Sequence, residues 1–330
     1  MMAVAVALAL IAAGCGGNQK PSSPVDQVPE TGGLQDRVRA AATPRAADFP
    51  ATEGRTLQEV ADGIGGGTLE AALASSVFTT GPNRIAFGVI DQQGQFVYGK
   101  TAVYVAPTPD APAKGPFVAP ADVLVTPPAY RSKQAATEED PFAAIYAAEV
   151  PLRKKGAYSV LVATESGGKL VAAPTQIQVS SPAADPIPGV GDMAPKVATD
   201  TLAGAKGDVA KIDTRLPPSD MHERSFADVV GKKPVALLFA TPQLCASRVC
   251  GPVVDIAAEM KAKYGDRIEF IHQEVYVDND PKKGVREPMR RFNLRSEPWL
   301  FVVDRGGRIT ARLEGSVGVA AFERALKTVL

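Results

Sequence analysis

The sequence predicts a mixed fold, a β-sandwich followed by an α/β domain. Three observations carry this. Between Asn83 and Ser180, apolar residues recur with period two and are broken by Pro- and Gly-bearing turns, the pattern of short half-buried strands. From Val235 onward, a short apolar run of strand type alternates with stretches of helical spacing, as in packed α/β layers. Between them, Ser181 to Gly191 contains Pro182, Pro186 and Pro188 and reads as a linker.

In chain order, Met1 to Ala13 is apolar but lacks the positive flank of a secretory signal. It is too short to span a bilayer, which takes about 20 residues. It ends in Leu8-Ala9-Leu10-Ile11-Ala12-Ala13-Gly14-Cys15, with small residues before the cysteine. In this it resembles a bacterial lipoprotein, although Ala12 stands where the family pattern prefers Leu. The resemblance implies a signal peptide over 1–14, acylation of Cys15, and a protein tethered to the cell membrane on its extracytoplasmic face. Residues 15–55, rich in Pro, Gly, Ser and charge, read as a flexible linker.

Thr56 and Glu59 have capping-box spacing, with Leu57, Val60, Ala61 and Ile64 on one helical face. Gly65-Gly66-Gly67 ends that helix. Strands are expected around Ile85 to Val89, then at Gln95 to Tyr98, Thr101 to Val105, Tyr146 to Val150, Tyr158 to Thr164, Leu170 to Ala173 and Thr175 to Val179. Strands of this density indicate an antiparallel sandwich of immunoglobulin-like type over 56–182. It contains neither His nor Cys, and its acidic cluster Glu138-Glu139-Asp140 reads as a solvated loop. The expected role is a spacer or a partner-binding module.

In 183–330, Val235 to Ala240 suits a buried strand, and Gly251-Pro252 opens a helix lined by Val253, Ile256, Ala257, Met260 and Tyr264. Ile268 to Val277 is the next strand, and Val285, Met289 and Phe292 mark a helix. Trp299 to Val303 and Arg308 to Leu313 flank the turn Asp304-Arg305-Gly306-Gly307, before a terminal helix with Phe322, Leu326 and Val329.

Composition excludes some functions. Lys+Arg and Asp+Glu are equal at 36 each, so there is no net field for nucleic acid. The two histidines, His222 and His272, argue against a multi-histidine metal site, and no metal or other cofactor is expected. The three cysteines are Cys15, Cys245 and Cys250, which leaves one thiol pair where an oxidising compartment would let a disulfide bond form.

Phe239-Ala240-Thr241-Pro242-Gln243-Leu244-Cys245 resembles the passage from strand to active site in thioredoxin-like proteins. Cys250-Gly251-Pro252 resembles the start of their Cys-Gly-Pro-Cys motif, and Ser296-Glu297-Pro298-Trp299-Leu300-Phe301 the segment that holds their cis-proline. Gly191-Asp192-Met193-Ala194-Pro195 is similar to the entry segment of peroxiredoxin and TlpA-like members. The resemblance covers roughly 189–330. It implies a redox-active pair exchanging with protein thiols or disulfides outside the cytoplasm. This chain departs from the pattern with C-x4-C spacing, Val253 in place of the second cysteine, and Leu238 where a buried acid stands.

The helix start favours a thiolate, so Cys250 is the expected nucleophile, with Cys245 resolving and Pro298 covering the sulfurs; Arg248 could add charge but reads first as a surface arginine. One alternative is a non-catalytic thioredoxin-fold binding module with a structural Cys245–Cys250 bridge. Another is a thiol peroxidase using Pro242, Ser247, Cys250 and Arg295. The third is a Sco-like copper chaperone that would add a histidine, although His272, mid-strand beside Glu274, reads as a core residue.

Overall fold

The computed structural model describes residues 23–135 and 142–330. Cys15, the signal segment and Glu138-Glu139-Asp140 lie outside them.

The first departure from expectation is the linker. Helix α1 (Leu34–Ala41) places Leu34, Val38 and Ala41 on one buried face, and with Val25 and Val28 they join the core of the strands that follow. The apolar residues are sparse, but their spacing is helical. Helix α2 (Leu57–Ile64) forms as its cap predicts: Thr56 Oγ1 accepts the Glu59 amide at 3.1 Å, and the Glu59 carboxylate accepts the Thr56 amide at 2.8 Å. Phe49, also in the expected linker, packs with Leu57 and Val60.

The strands of the first part are β1 (Glu70–Leu73), β2 (Phe78–Thr79), β3 (Gly81–Ile90), β4 (Thr101–Ala106), β5 (Lys114–Val118), β6 (Ala121–Val123), β7 (Ala144–Leu152), β8 (Gly156–Ser166) and β9 (Lys169–Ser180). They make two sheets, ordered β1-β3-β7-β6 and β2-β9-β8-β4-β5. Phe87, Val89, Tyr146 and Val150 of one sheet share a core with Val103, Val105, Val160, Val162 and Ile177 of the other. Leu170 to Ala173 and Thr175 to Val179 are one strand: Pro174 pairs with Leu161 of β8, while β2 reaches only Val179 and Ser180 on the other side. Pro174 therefore sits where the outer edge is open and its missing N–H costs no ladder bond. Gln95 to Tyr98 makes only the Ile90–Phe96 bridge. It ends at Gly99, where a Cβ would lie 1.9 Å from the Glu165 carbonyl oxygen.

The α/β part runs α3 (Phe226–Val229), β10 (Val235–Phe239), α4 (Cys250–Tyr264), β11 (Glu269–Gln273), α5 (Glu287–Arg291), β12 (Trp299–Val303), β13 (Ile309–Glu314) and α6 (Val319–Leu326). The sheet order is β11-β10-β12-β13, with β10 parallel to β11 and antiparallel to β12. All of β10 and β12 is buried, which is why both read as unbroken apolar runs. On one face, Ala236, Leu238, Leu300 and Val302 meet α4 and α6. On the other, Leu237, Phe239 and Phe301 meet Phe226, Met289 and Phe292.

The two parts are not separated by a spacer. Leu124, Phe142 and Ile145 belong to the same apolar core as α4 and α6. Asp122 accepts the amides of Ala320 and Ala321 at 2.9 and 2.8 Å, capping α6 from the other part of the chain. Arg84 donates to the carbonyls of Glu314 and Ser316 at 3.2 and 2.6 Å. Glu314 in turn accepts the amides of Ser76 and Val77, both at 2.9 Å.

Candidate functional site

The loop from the end of β10 to the start of α4 carries both thiols. Its first turn is tied by the Cys245 amide to the Thr241 carbonyl at 3.1 Å, and its last by the Arg248 amide to the Cys245 carbonyl at 3.1 Å. Both cysteines are free thiols here, not a bridge. Cys245 is 8% exposed and Cys250 is fully buried.

The Cys245 sulfur receives the Cys250 thiol, the Ser247 hydroxyl, 3.2 Å away, and the amides of Cys250 and Val249. Donation from Cys250 is the strongest influence, and the set outweighs burial, lowering the Cys245 pKa to about 6. Burial pushes Cys250 well above the usual thiol range, reinforced by its bond to Cys245 and by negative charge there. This is the opposite of the expected order of acidity. Cys250 opens α4, but the amides at that helix end point at the sulfur of the preceding loop, so the thiolate they favour is Cys245.

Pro298 lies beside this loop: it follows Glu297 through a cis peptide bond, and Trp299 after it pairs with Phe239 at the end of β10. Glu297 was not anticipated. Burial, then the charge of Cys245, pushes its carboxyl up to about 7. Leu238 is buried in β10 as the sequence implies, so the acid near the thiols comes from the other side of the loop. Its only sequence signal was its place directly before the proline.

The first part of the chain reaches this site. Gln134 packs on the start of α4 so closely that a Cβ on Gly251 would lie 2.6 Å from the Gln134 carbonyl oxygen. Gln134, Phe96 and Phe142 join Ser247, Arg248 and Pro252 around a cavity of about 130 Å³. Farther along α4, buried Asp255 accepts the Ser132 amide at 2.9 Å and Arg215 Nε at 2.8 Å. Thr214 Oγ1 donates to Glu274 at 2.6 Å and accepts the Gln243 amide of the cysteine loop at 3.2 Å.

The peroxidase and copper arrangements are not assembled. Ser247 contacts Cys245, not Cys250, and Arg295 lines a different cavity with Asp185 and Asn293. His272 is a core residue of β11, as expected, but it meets His222 and Asp213; among the described residues, that trio is the group able to hold a metal ion, and neither thiol belongs to it. β11 and the segment after Asp213 bring the two histidines to ring centroids 5.2 Å apart.

No protein-family model and no curated protein matches the chain. Among solved structures, a protein assigned as thiol:disulfide interchange protein DsbE from Chlorobium tepidum is similar at 16% identity, with 42% of this chain and 96% of that one covered and a TM-score of 0.30. A thioredoxin-like superfamily protein is similar at 14% identity, with the same coverages and a TM-score of 0.28. The PKD domain of the human VPS10 domain-containing receptor SorCS2 is similar at 18% identity, over 36% of this chain and 78% of that one, with a TM-score of 0.18.

Proposed function

We propose that the chain is a thiol–disulfide oxidoreductase of thioredoxin-like fold, held by a lipid on Cys15 at the extracytoplasmic face of a membrane. The observation that carries the redox reading is the asymmetry of the pair: Cys245, 8% exposed and with its pKa lowered to about 6, hydrogen-bonded to a fully buried Cys250 with its pKa raised. A merely structural bridge needs no such difference. In one direction, the Cys245 thiolate attacks a sulfur of a partner disulfide, and the electron pair of the broken S–S bond leaves on the partner's other sulfur, which takes up a proton. Cys250 then gives its proton to ionised Glu297 and attacks Cys245 Sγ, releasing the partner's second thiol. The pair ends oxidised to a disulfide and the partner reduced by two electrons; the same steps run backward to oxidise a dithiol. The partner chain would lie against the segment of Pro298, whose next residue Trp299 pairs with Phe239 before the cysteine loop. The first part of the chain braces α4, whose start carries Cys250, through Gln134 and Ser132.

Mixed-disulfide trapping tests the assignment. Cys250→Ser is expected to accumulate partners on Cys245, and Cys245→Ser to trap none. The opposite result would restore Cys250 as nucleophile, and capture by neither, with a wild-type bridge resistant to mild reductant, would leave a binding module. For the tether, Cys15→Ala is expected to shift the protein from the membrane to the soluble fraction, and unchanged membrane association would remove the anchor.

A further inference from the structure

Behind the thiol loop, side-chain atoms of Asp213, Ser219 and His222 converge with one of His272 from β11. His222 Nε2 is 3.0 Å from Asp213 Oδ2, and His272 Nδ1 is 3.6 Å from the same oxygen. Ser219 Oγ lies 2.8 Å from that oxygen, 3.4 Å from His222 Nε2 and 3.5 Å from His272 Nδ1. Asp213, His222 and His272 are all buried, His272 completely.

The His272 ring is fixed because its Nε2 donates to the Ala240 carbonyl at 3.0 Å. Its Nδ1 is therefore aimed into the group, yet both separations exceed the hydrogen-bond range of about 2.7–3.2 Å. A fully buried ring nitrogen is left facing a carboxylate without a good hydrogen bond, an arrangement that costs stability unless something lies between them. His222 Nε2 and Ser219 Oγ hydrogen-bond to Asp213 at 3.0 and 2.8 Å, whereas the longer separations around His272 Nδ1 are those of ligands on a tetrahedral zinc ion, which with bonds of about 2.0–2.1 Å stand about 3.3 Å apart. The Nε2–H to carbonyl bond of His272 is also the outer contact that orients a ligating imidazole. Charge points the same way. Asp213 and Glu274 are buried carboxyls that both act on His272, and a dication offsets two such charges.

We propose that Asp213, His222 and His272, with Ser219 Oγ at the fourth corner, bind one divalent ion of zinc type. The burial of Asp213, His222 and His272 leaves the ion no position open to substrate, as in a structural site. It clamps the 213–222 segment onto β11 directly beneath the cysteine loop, which that segment already holds through Thr214 and Gln243.

The test uses the full chain carrying Cys245→Ser and Cys250→Ser, so that thiol ligation is removed and the outcome does not depend on the redox reading. This protein is expected to bind one Zn2+ per chain by calorimetry, with a raised Tm, and Co2+ is expected to give the intense visible bands of a tetrahedral site. His222→Gln on that background should weaken Zn2+ binding by at least about 100-fold, the upper end of what losing an outer-shell partner costs. Substoichiometric Zn2+ in the thiol-free parent, or affinity unchanged by His222→Gln, would overturn the site. Should His222→Gln not fold, the Co2+ spectrum of the parent decides, and weak octahedral bands count against the proposal.

Discussion

At the scale of single residues, Cys245 and Cys250 are separated by four residues yet stand in opposite settings, one under converging donors and the other sealed from solvent. The consequence is measurable. Cys245 is a thiol below about pH 6 and a thiolate above it, so its alkylation by iodoacetamide should rise through pH 6 and level off well below about 8.5, where a free cysteine titrates. Glu297 ionises next, at about 7, and its charge opposes the thiolate, which adds a second inflection that Glu297→Gln should abolish. A single midpoint near that of free cysteine would remove the account of donors at the helix end. The cysteines and the proline were legible in the sequence. Their division of labour was not, because it depends on which sulfur the loop turns beneath the amides of Val249 and Cys250.

Among the elements, those with dense apolar patterns were legible: α2 with its cap, the buried runs of β10 and β12, and the amphipathic α4. Helix α1 was not, since Leu34, Val38 and Ala41 are scattered among charged residues whose composition resembles a linker. Helix α4 also carries Asp255, which looks like an ordinary surface acid in sequence. It is 1% exposed and held by Arg215, itself 5% exposed, whose two terminal nitrogens donate to the carbonyls of Pro217 and Tyr130, both at 2.6 Å. Removing one member of a buried pair strands the other charge and costs about 3–5 kcal/mol, whereas replacing both by apolar groups costs far less. Arg215→Met should therefore lose about that much stability in urea, and Arg215→Met with Asp255→Leu should recover most of it. A loss in the double variant equal to the sum of the Arg215→Met and Asp255→Leu losses would show that the pair is not coupled.

For the whole molecule, the shared core of Leu124, Phe142 and Ile145 with α4 and α6 makes one unfolding unit the expectation. The single tryptophan, Trp299, lies in β12 and reports the α/β part alone, while far-UV circular dichroism reports both. The two signals should give one coincident transition. A 183–330 fragment, stripped of Ser132, Asp122 and the apolar residues that cover α4 and α6, should not unfold cooperatively. Two separate transitions in the full chain, or a stable fragment, would return the first part to the role of a spacer.

The sequence by itself determined the order of strands and helices from Val235 onward, the placement of the only described thiol pair at a strand-to-helix passage and the proline opposite it, because these follow from local periodicity, capping and turn chemistry. Tertiary structure decided which sulfur the donors converge on, that the charge of Cys245 acts on Glu297, that Asp213, His222 and His272 meet, and that the two parts share a core. Each of these is a contact between segments distant in sequence or a matter of burial, and neither has a local signature: the two histidines are fifty residues apart along the chain and become neighbours only when β11 docks against the segment that follows Asp213.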